Sequence, residues 1–342
     1  MTYSLSILLI SLIYLLILNY LLKKKNFLID KVSIKEKHKK LLSLDSNVPL
    51  SGSFYFFPFI FFLFYQTSNL LLITCGLFFC LGLLSDLKVT DSPKTRLLIQ
   101  SLLLLFFIYF TKDIEIDTRI EFLNKLTDHE FFRVTIISFF FLVLINGFNF
   151  IDGANNLCSL NFLIILIFIF FISKDIDNFY IEKVSFFLIL LMAVFVLFNF
   201  FGKNFLGDGG VYGFSFLIGL IIIQLSSFDD KISPYFFANL LWYPAFENLF
   251  SIIRRTITKK KNYIADNYHI HHLIFKYFNN KNFFKKKYLL SSFVGIAINC
   301  HLTMFYIIGF VDYSDTKRQI SLIFINIIIY LMLYFKLKKI DD

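Results

Sequence analysis

The chain has 342 residues, 57% of them hydrophobic and only 17% charged, where a soluble domain carries about 25% charged residues. With 49 phenylalanines and a mean hydropathy of +0.70, this excludes a disordered chain, a nucleic-acid-binding domain and an ordinary cytosolic enzyme. The formal net charge of +10 is therefore read as topology and contact with anionic lipid, and no nucleic-acid partner is expected.

Apolar runs predict helices near 3–22, 49–65, 68–85, 97–111, 134–150, 158–173, 184–202, 210–226, 234–253, 287–310 and 319–335. The expectation is an all-α polytopic membrane protein of about eleven spans, folded as one domain over 1–342. Several runs are short for a hydrocarbon core of about 30 Å. The first run lacks a small-residue cleavage site and meets Lys23-Lys24-Lys25, so it is expected to stay as an anchor. The segments 23–48, 86–96, 151–157, 203–209, 254–287 and the tail from Lys336 hold 25 of the 34 Lys and Arg residues. By the positive-inside rule these face the cytoplasm, with the amino terminus outside and the carboxyl terminus inside. Cys75, Cys80, Cys158 and Cys300 form no CxxC pair and read as small buried hydrophobes.

The polar residues gather at the predicted cytoplasmic ends. One group is Ser85-Asp86 with Ser92-Pro93-Lys94-Thr95-Arg96 and Gln100. A second runs from Asn146 through Asn149, Asp152 and Gly153 to Asn155-Asn156. A third is Lys203-Asn204-Phe205-Leu206-Gly207-Asp208-Gly209-Gly210, and a fourth is Asp266 with His269-Ile270-His271-His272. A single Asp at a helix end is usually a cap. Asn146, Asn149 and Asp152, about one helical turn apart, form a polar stripe that must face a cavity or another helix. The glycines after Leu206 read as a turn through which backbone approaches phosphate at a helix amino terminus. The segment 254–287 is basic and polar, so its imidazoles are expected outside the core. Carboxylates of Asp86, Asp152 and Asp208 suit Mg²⁺, which takes oxygen ligands. Lys94, Arg96, Arg254, Arg255 and the histidines suit phosphate.

At these groups, from about Asp30 to about Lys276, the chain resembles the polyprenyl-phosphate N-acetylhexosamine-1-phosphate transferases, glycosyltransferase family 4, relatives of the phospho-MurNAc-pentapeptide translocases. Lys37-His38 and Pro49-Leu50-Ser51-Gly52 are similar to that family's first motif. Asp86 matches the second of its paired aspartates. Asn146, Asn149, Asp152 and Gly153 match Asn-x-x-Asn-x-x-Asp-Gly, Phe205 to Asp208 match Phe-Leu-Gly-Asp, and His269 to His272 match His-x-His-His.

The resemblance implies transfer of a sugar-1-phosphate from a UDP-N-acetylhexosamine to undecaprenyl phosphate at the cytoplasmic face of a bacterial membrane, with release of UMP. It implies Mg²⁺, with Mn²⁺ as the substitute, and leaves a homodimer open. The metal site it implies is Asp208 with Asp86. The other catalytic residues are Asp152, His269, His271 and His272. Lys94, Asn146, Asn149, Asn155 and Ser85 are the substrate-binding positions.

Three departures stand out: Ser85 replaces the first aspartate, Asn155-Asn156 replace a common Asp-Gly, and Val211 replaces a common Ser. Ser85 keeps open a degenerate scaffold of a glycan-assembly complex. A lipid-linked glycan transporter would instead place its polar residues near the midplane of repeated halves.

Overall fold

The computed structural model describes residues 2–30, 47–65, 69–90, 92–111, 114, 117–257 and 268–341. It is 82% helical, and its two strands have two residues each, so the all-α expectation holds. In chain order the elements are α1 (Thr2–Lys25), β1 (Ile29–Asp30), β2 (Val48–Pro49), α2 (Gly52–Phe64), α3 (Asn69–Asp86), α4 (Pro93–Phe110), α5 (Glu121–Thr127), α6 (Glu130–Ile151), α7 (Leu157–Asp175), α8 (Phe179–Phe200), α9 (Gly207–Phe228), α10 (Pro234–Ile257), α11 (Ile270–Asn280), α12 (Lys287–Phe310) and α13 (Thr316–Asp341).

All eleven expected spans fall on helices. Among the described residues, nine of these helices are long and apolar enough to cross a membrane. The remaining two are α2, which has 13 residues and an internal Pro58, and α10, which carries Glu247, Arg254 and Arg255 in its second half. The short helices α5 and α11 were not expected. On α1, Ile10, Ile13 and Ile17 are exposed, as are Ile325, Ile328 and Met332 on α13. Such surfaces suit lipid, since exposed apolar patches of this extent are rare in water-soluble monomers. Cys75 and Cys158 are buried as expected, but Cys80 and Cys300 are exposed on the outer faces of α3 and α12. All four are free thiols.

The bundle is organised around α9. Every residue from Gly209 to Ile223 on it is buried, the pattern of a helix that is apolar all round. It packs against α2, α3 and α6. A Cβ on Gly82 of α3 would lie 2.4 Å from the Asp208 carbonyl oxygen and from the Gly209 backbone, so α3 and α9 touch backbone to backbone at their site ends. The outer helices pair as α7 with α8, α12 with α7, α1 with α8, and α10 with both α6 and α13.

Backbone hydrogen bonds join two of the motifs. Phe205 N–H donates to Pro49 O at 3.0 Å, and Ser51 N–H donates to Phe205 O at 3.0 Å. The segment Pro49 to Gly52 is thereby fastened alongside Phe205 to Asp208. Lys37-His38 and Asp266 lie outside the described residues.

Candidate active site

The site is built at the end of the bundle where α3, α6 and α10 finish and α4, α7 and α9 begin. The first four N–H groups of any helix lack partners within the helix. At α9 two of them are met from another element: Asp86, the last residue of α3, accepts from Asp208 N–H at 2.9 Å and from Gly209 N–H at 3.1 Å. A carboxylate is favoured there by the helix dipole as well. Gly207 makes the approach possible. Its φ is +69°, and a Cβ would stand 2.6 Å from Asp86 Oδ2.

This corrects two expectations. The glycines after Leu206 form the first turn of a helix that begins at Gly207 rather than near 210, and the N–H groups of Asp208 and of the next residue, Gly209, face Asp86 rather than an open phosphate cradle. Asp86 itself holds α9 in place with both carboxylate oxygens.

Asp208 lies on the solvent side of that cap. Its Oδ2 accepts from Ser85 Oγ at 2.5 Å and from Arg96 Nη1 at 2.5 Å. Arg96 also donates to Ser85 Oγ at 2.6 Å. The Arg96 and Asp208 side chains are 21% and 24% exposed, so the ion pair is open to a ligand from the aqueous side. Arg96 stands on the first turn of α4, which Ser92 caps and Pro93 starts. It continues to Tyr212 Oη at 3.4 Å, where Asn149 Nδ2 also donates at 3.2 Å. Asn146 Nδ2 bonds Gln100 Oε1 at 2.9 Å. One polar chain therefore crosses α3, α9, α4 and α6. Lys94 is exposed at the start of α4, and Arg96, two residues on, is the member of this chain that α4 supplies.

The other two motifs meet on the far side of α6. Asp152 closes that helix, its N–H bonding Phe148 O at 3.1 Å. A Cβ on the next residue, Gly153, would lie 2.5 Å from His271 Nε2, so only glycine admits this imidazole. The histidines are not in a solvated loop as expected. His271 is fully buried, and His269 and His272 are 5% and 6% exposed. His271 stacks on His269 at 5.6 Å and 11° and lies 4.3 Å from the His272 ring. Burial, followed by His272 and His269, holds the His271 imidazole well below the ordinary histidine value, so it is neutral at pH 7. Neither of its ring nitrogens has a hydrogen-bond partner among the described residues.

Asn155 donates its backbone N–H to Ser291 Oγ at 3.0 Å, while its buried side-chain Nδ2 has no partner. Asn156 takes a left-handed conformation and donates to Asn199 Oδ1 at 2.7 Å, which anchors the start of α7 to α8.

The loop reading missed Tyr212 as a link and Glu247 altogether. The signal for Glu247 was present: an acid within a long apolar run is costly unless it is used. Among the described residues no group of three His, Cys, Asp or Glu side chains stands together to hold a metal. What does stand together is oxygen: the Asp208 carboxylate, the Ser85 hydroxyl and the Asp86 carboxylate. That donor set fits a hard cation that keeps most of its waters, with Arg96 sharing Asp208.

A search of curated proteins returns no match. Residues 68–226 match the family model of glycosyl transferase family 4. The matched segment carries Asp86, Arg96, Asn146, Asn149, Asp152 and Asp208 and stops before the histidines. This match supports the resemblance to glycosyl transferase family 4, whose members are membrane-bound, generally metal-dependent transferases of sugar phosphate to polyprenyl phosphate.

Proposed function

We propose that this protein transfers an N-acetylhexosamine-1-phosphate from its UDP-sugar to undecaprenyl phosphate at the cytoplasmic face of a bacterial membrane and so starts a lipid-linked surface glycan. The observation that carries this reading is the convergence of four sequence-distant polar motifs on one end of an apolar bundle, with Asp208 accessible at its edge. The excess of Lys and Arg at that end supports a cytoplasmic orientation with the amino terminus outside, and the helices support about eleven spans.

In the reaction an oxygen of the lipid phosphate attacks the sugar-bearing phosphorus of the donor. A new P–O bond forms, the bond to the UMP oxygen breaks, and UMP leaves with that electron pair. A phosphate monoester has a second pKa near 6 and is mostly dianionic at pH 7, so the acceptor needs no strong base. Ser85 in place of an acid is compatible with this. Asp208, with Ser85 and Asp86 beside it, would hold Mg²⁺, or Mn²⁺ in its place, which when bound would supply positive charge against the diphosphate. Arg96 and Lys94 bind phosphate oxygens. Asn146, Asn149 and Asp152 orient the donor, Asn155 offers its amide to the sugar or uridine, and His269, His271 and His272 hydrogen-bond the diphosphate. Most of the rate then comes from positioning and charge neutralisation.

A second reading, a scaffold that has lost catalysis, is favoured by one feature. Arg96 already neutralises Asp208, and no first aspartate stands beside it. The test is incubation of the purified protein with polyprenyl phosphate and a panel of UDP-sugars labelled with ³²P in the β-phosphate. Labelled lipid whose mass identifies the sugar supports transfer. Unlabelled lipid with every donor and either metal supports the scaffold.

A further inference from the structure

Glu247 lies in the second half of α10 with none of its surface exposed. A carboxyl group withdrawn from water is costly unless hydrogen bonds meet it. Here two elements meet it. His269 Nδ1 stands 2.9 Å from Oε1, and Tyr330 of α13 donates its hydroxyl to Oε2 at 2.7 Å. Neighbouring groups fasten the same corner. Arg254, two turns along α10, donates to the Tyr268 carbonyl at 2.6 Å, fixing the residue before His269. The His269 ring lies 5.2 Å from Phe150, whose other neighbour is the Arg255 guanidinium at 5.4 Å. His269 in turn stacks on His271, the imidazole that rests on Gly153.

We propose that Glu247 is a positioning residue that sets the tautomer and the ring orientation of His269, and that Tyr330 holds Glu247 for this purpose. A carboxylate that also accepts from Tyr330 accepts from His269 as well, so Nδ1 carries the proton and Nε2, on the opposite edge of the ring, is the basic nitrogen. Because the His269 and His271 rings stack, the orientation imposed on His269 is passed to His271. The carboxyl-terminal helix α13, far outside the segment that matches the family, thereby becomes part of the support of the site. The kinetic consequence rests on the transferase reading above; the tautomer does not.

The experiment uses the full chain in nanodiscs with ¹⁵N-labelled histidine. There are six histidines, and His269→Gln assigns the signal. Two-bond ¹H–¹⁵N spectra of the wild type should show a protonated Nδ1 and an unprotonated Nε2 for His269. Glu247→Gln should convert this to a mixture of tautomers, whereas Tyr330→Phe should keep the tautomer and broaden the signal. Loss of a hydrogen-bonded outer partner of a functional histidine costs about 10–100-fold. We expect a fall of that size in kcat for Glu247→Gln, with KM for the UDP-sugar nearly unchanged. The double variant with His269→Gln should be no slower than His269→Gln alone, because Glu247 acts through that ring.

An Nε2–H tautomer in the wild type overturns the proposal, as does an unchanged tautomer in Glu247→Gln. Rate losses that multiply in the double variant also overturn it. If Glu247→Gln does not fold, Tyr330→Phe carries the comparison: a signal and a kcat identical to wild type then count against the proposal. A wild type that transfers no sugar refutes the transferase reading, and the tautomer measurement still decides the role of Glu247.

Discussion

The two ends of the bundle use polar groups in opposite ways. At the end where α4, α7, α9 and α12 finish, Arg119 donates to Ser314 O at 2.8 Å, Thr316 Oγ1 at 2.8 Å, Asp230 O at 2.7 Å and Lys231 O at 3.1 Å. Asn124 accepts from Thr118 N–H at 2.9 Å and donates to Asp117 at 2.6 Å, and Ser233 N–H bonds Tyr313 O at 3.0 Å. These contacts close turns. Among the described residues, none in 117–120, 229–233 or 311–316 leaves a buried polar atom without a partner. At the site end, His271 Nδ1 and Nε2, Asn155 Nδ2, Gln100 Nε2 and Arg96 Nε are all buried and have no partner among the described residues. Buried polar atoms are nearly always satisfied in folded proteins, and atoms without a partner also occur within the bundle, at Ser138, Asn239 and Asn326; those at the site end are the ones beside the motif residues, where a ligand or water can meet them. Charge alone does not separate the two ends as clearly, since both carry Asp and Arg.

The sharpest break of this comparison is Asp208→Asn. It removes the charge that faces Arg96 and, on the proposed function, would face the cation, while leaving shape nearly unchanged. Removing one preorganised electrostatic partner costs about 10²–10³-fold, and we expect at least that loss of transfer with an unfolding midpoint close to wild type. Turnover at saturating Mg²⁺ checks it, and near-normal turnover would place the chemistry elsewhere.

His271→Gln comes next. It keeps a polar side chain in the pocket over Gly153 but loses the imidazole. A lost hydrogen bond to a charged ligand group, about 1.5–3 kcal/mol, predicts a fall of roughly 10–100-fold. The same variant tests the neutral imidazole by stability. Folded His271 has its pKa lowered by burial, while the unfolded chain takes a proton near pH 6.5. The unfolded state therefore binds more protons on acidification, and this group destabilises the fold progressively below about pH 6.5. Melting midpoints between pH 7.5 and 5.5 should fall less for His271→Gln than for wild type. Equal slopes would mean that the buried imidazole is not neutral.

Ser85→Ala should have a smaller effect. It deletes the bond to Asp208, worth about 1 kcal/mol, and leaves the dianionic acceptor as reactive as before. Transfer should stay within about tenfold of wild type at pH 7.5. Ser85→Asp should change the rate only modestly there. Rescue of an inactive wild type by Ser85→Asp from pH 5.5 to 8.5 would show that the missing acid is required.

The smallest effect on transfer belongs to the opposite end. Arg119→Ala strands carbonyl groups of two turns and should lower stability by about 1–2 kcal/mol, read by thermal unfolding. Initial rates at low temperature should match wild type. A rate loss on the scale of His271→Gln would erase the distinction between the two ends.

Local sequence determined the all-α membrane architecture, because the length and polarity of an apolar run decide by themselves whether a helix can span lipid. It also marked Asp86, Asp208, Asn149 and the histidines as polar groups at the same predicted face. Tertiary structure decided what each one does. Only the fold set Asp86, 122 residues away in sequence, on the amino terminus of α9 beside Asp208. Only the turn of α4 brings Arg96 to Asp208. The histidine segment reads as a polar loop because its neighbours are basic, yet packing on Gly153, Phe150 and Glu247 buries it. Glu247 and Tyr330 are 83 residues apart and carry no local pattern that links them. A hydrogen bond between helices depends on how their faces rotate against each other, and hydrophobic periodicity in a helix apolar on every side does not encode that rotation.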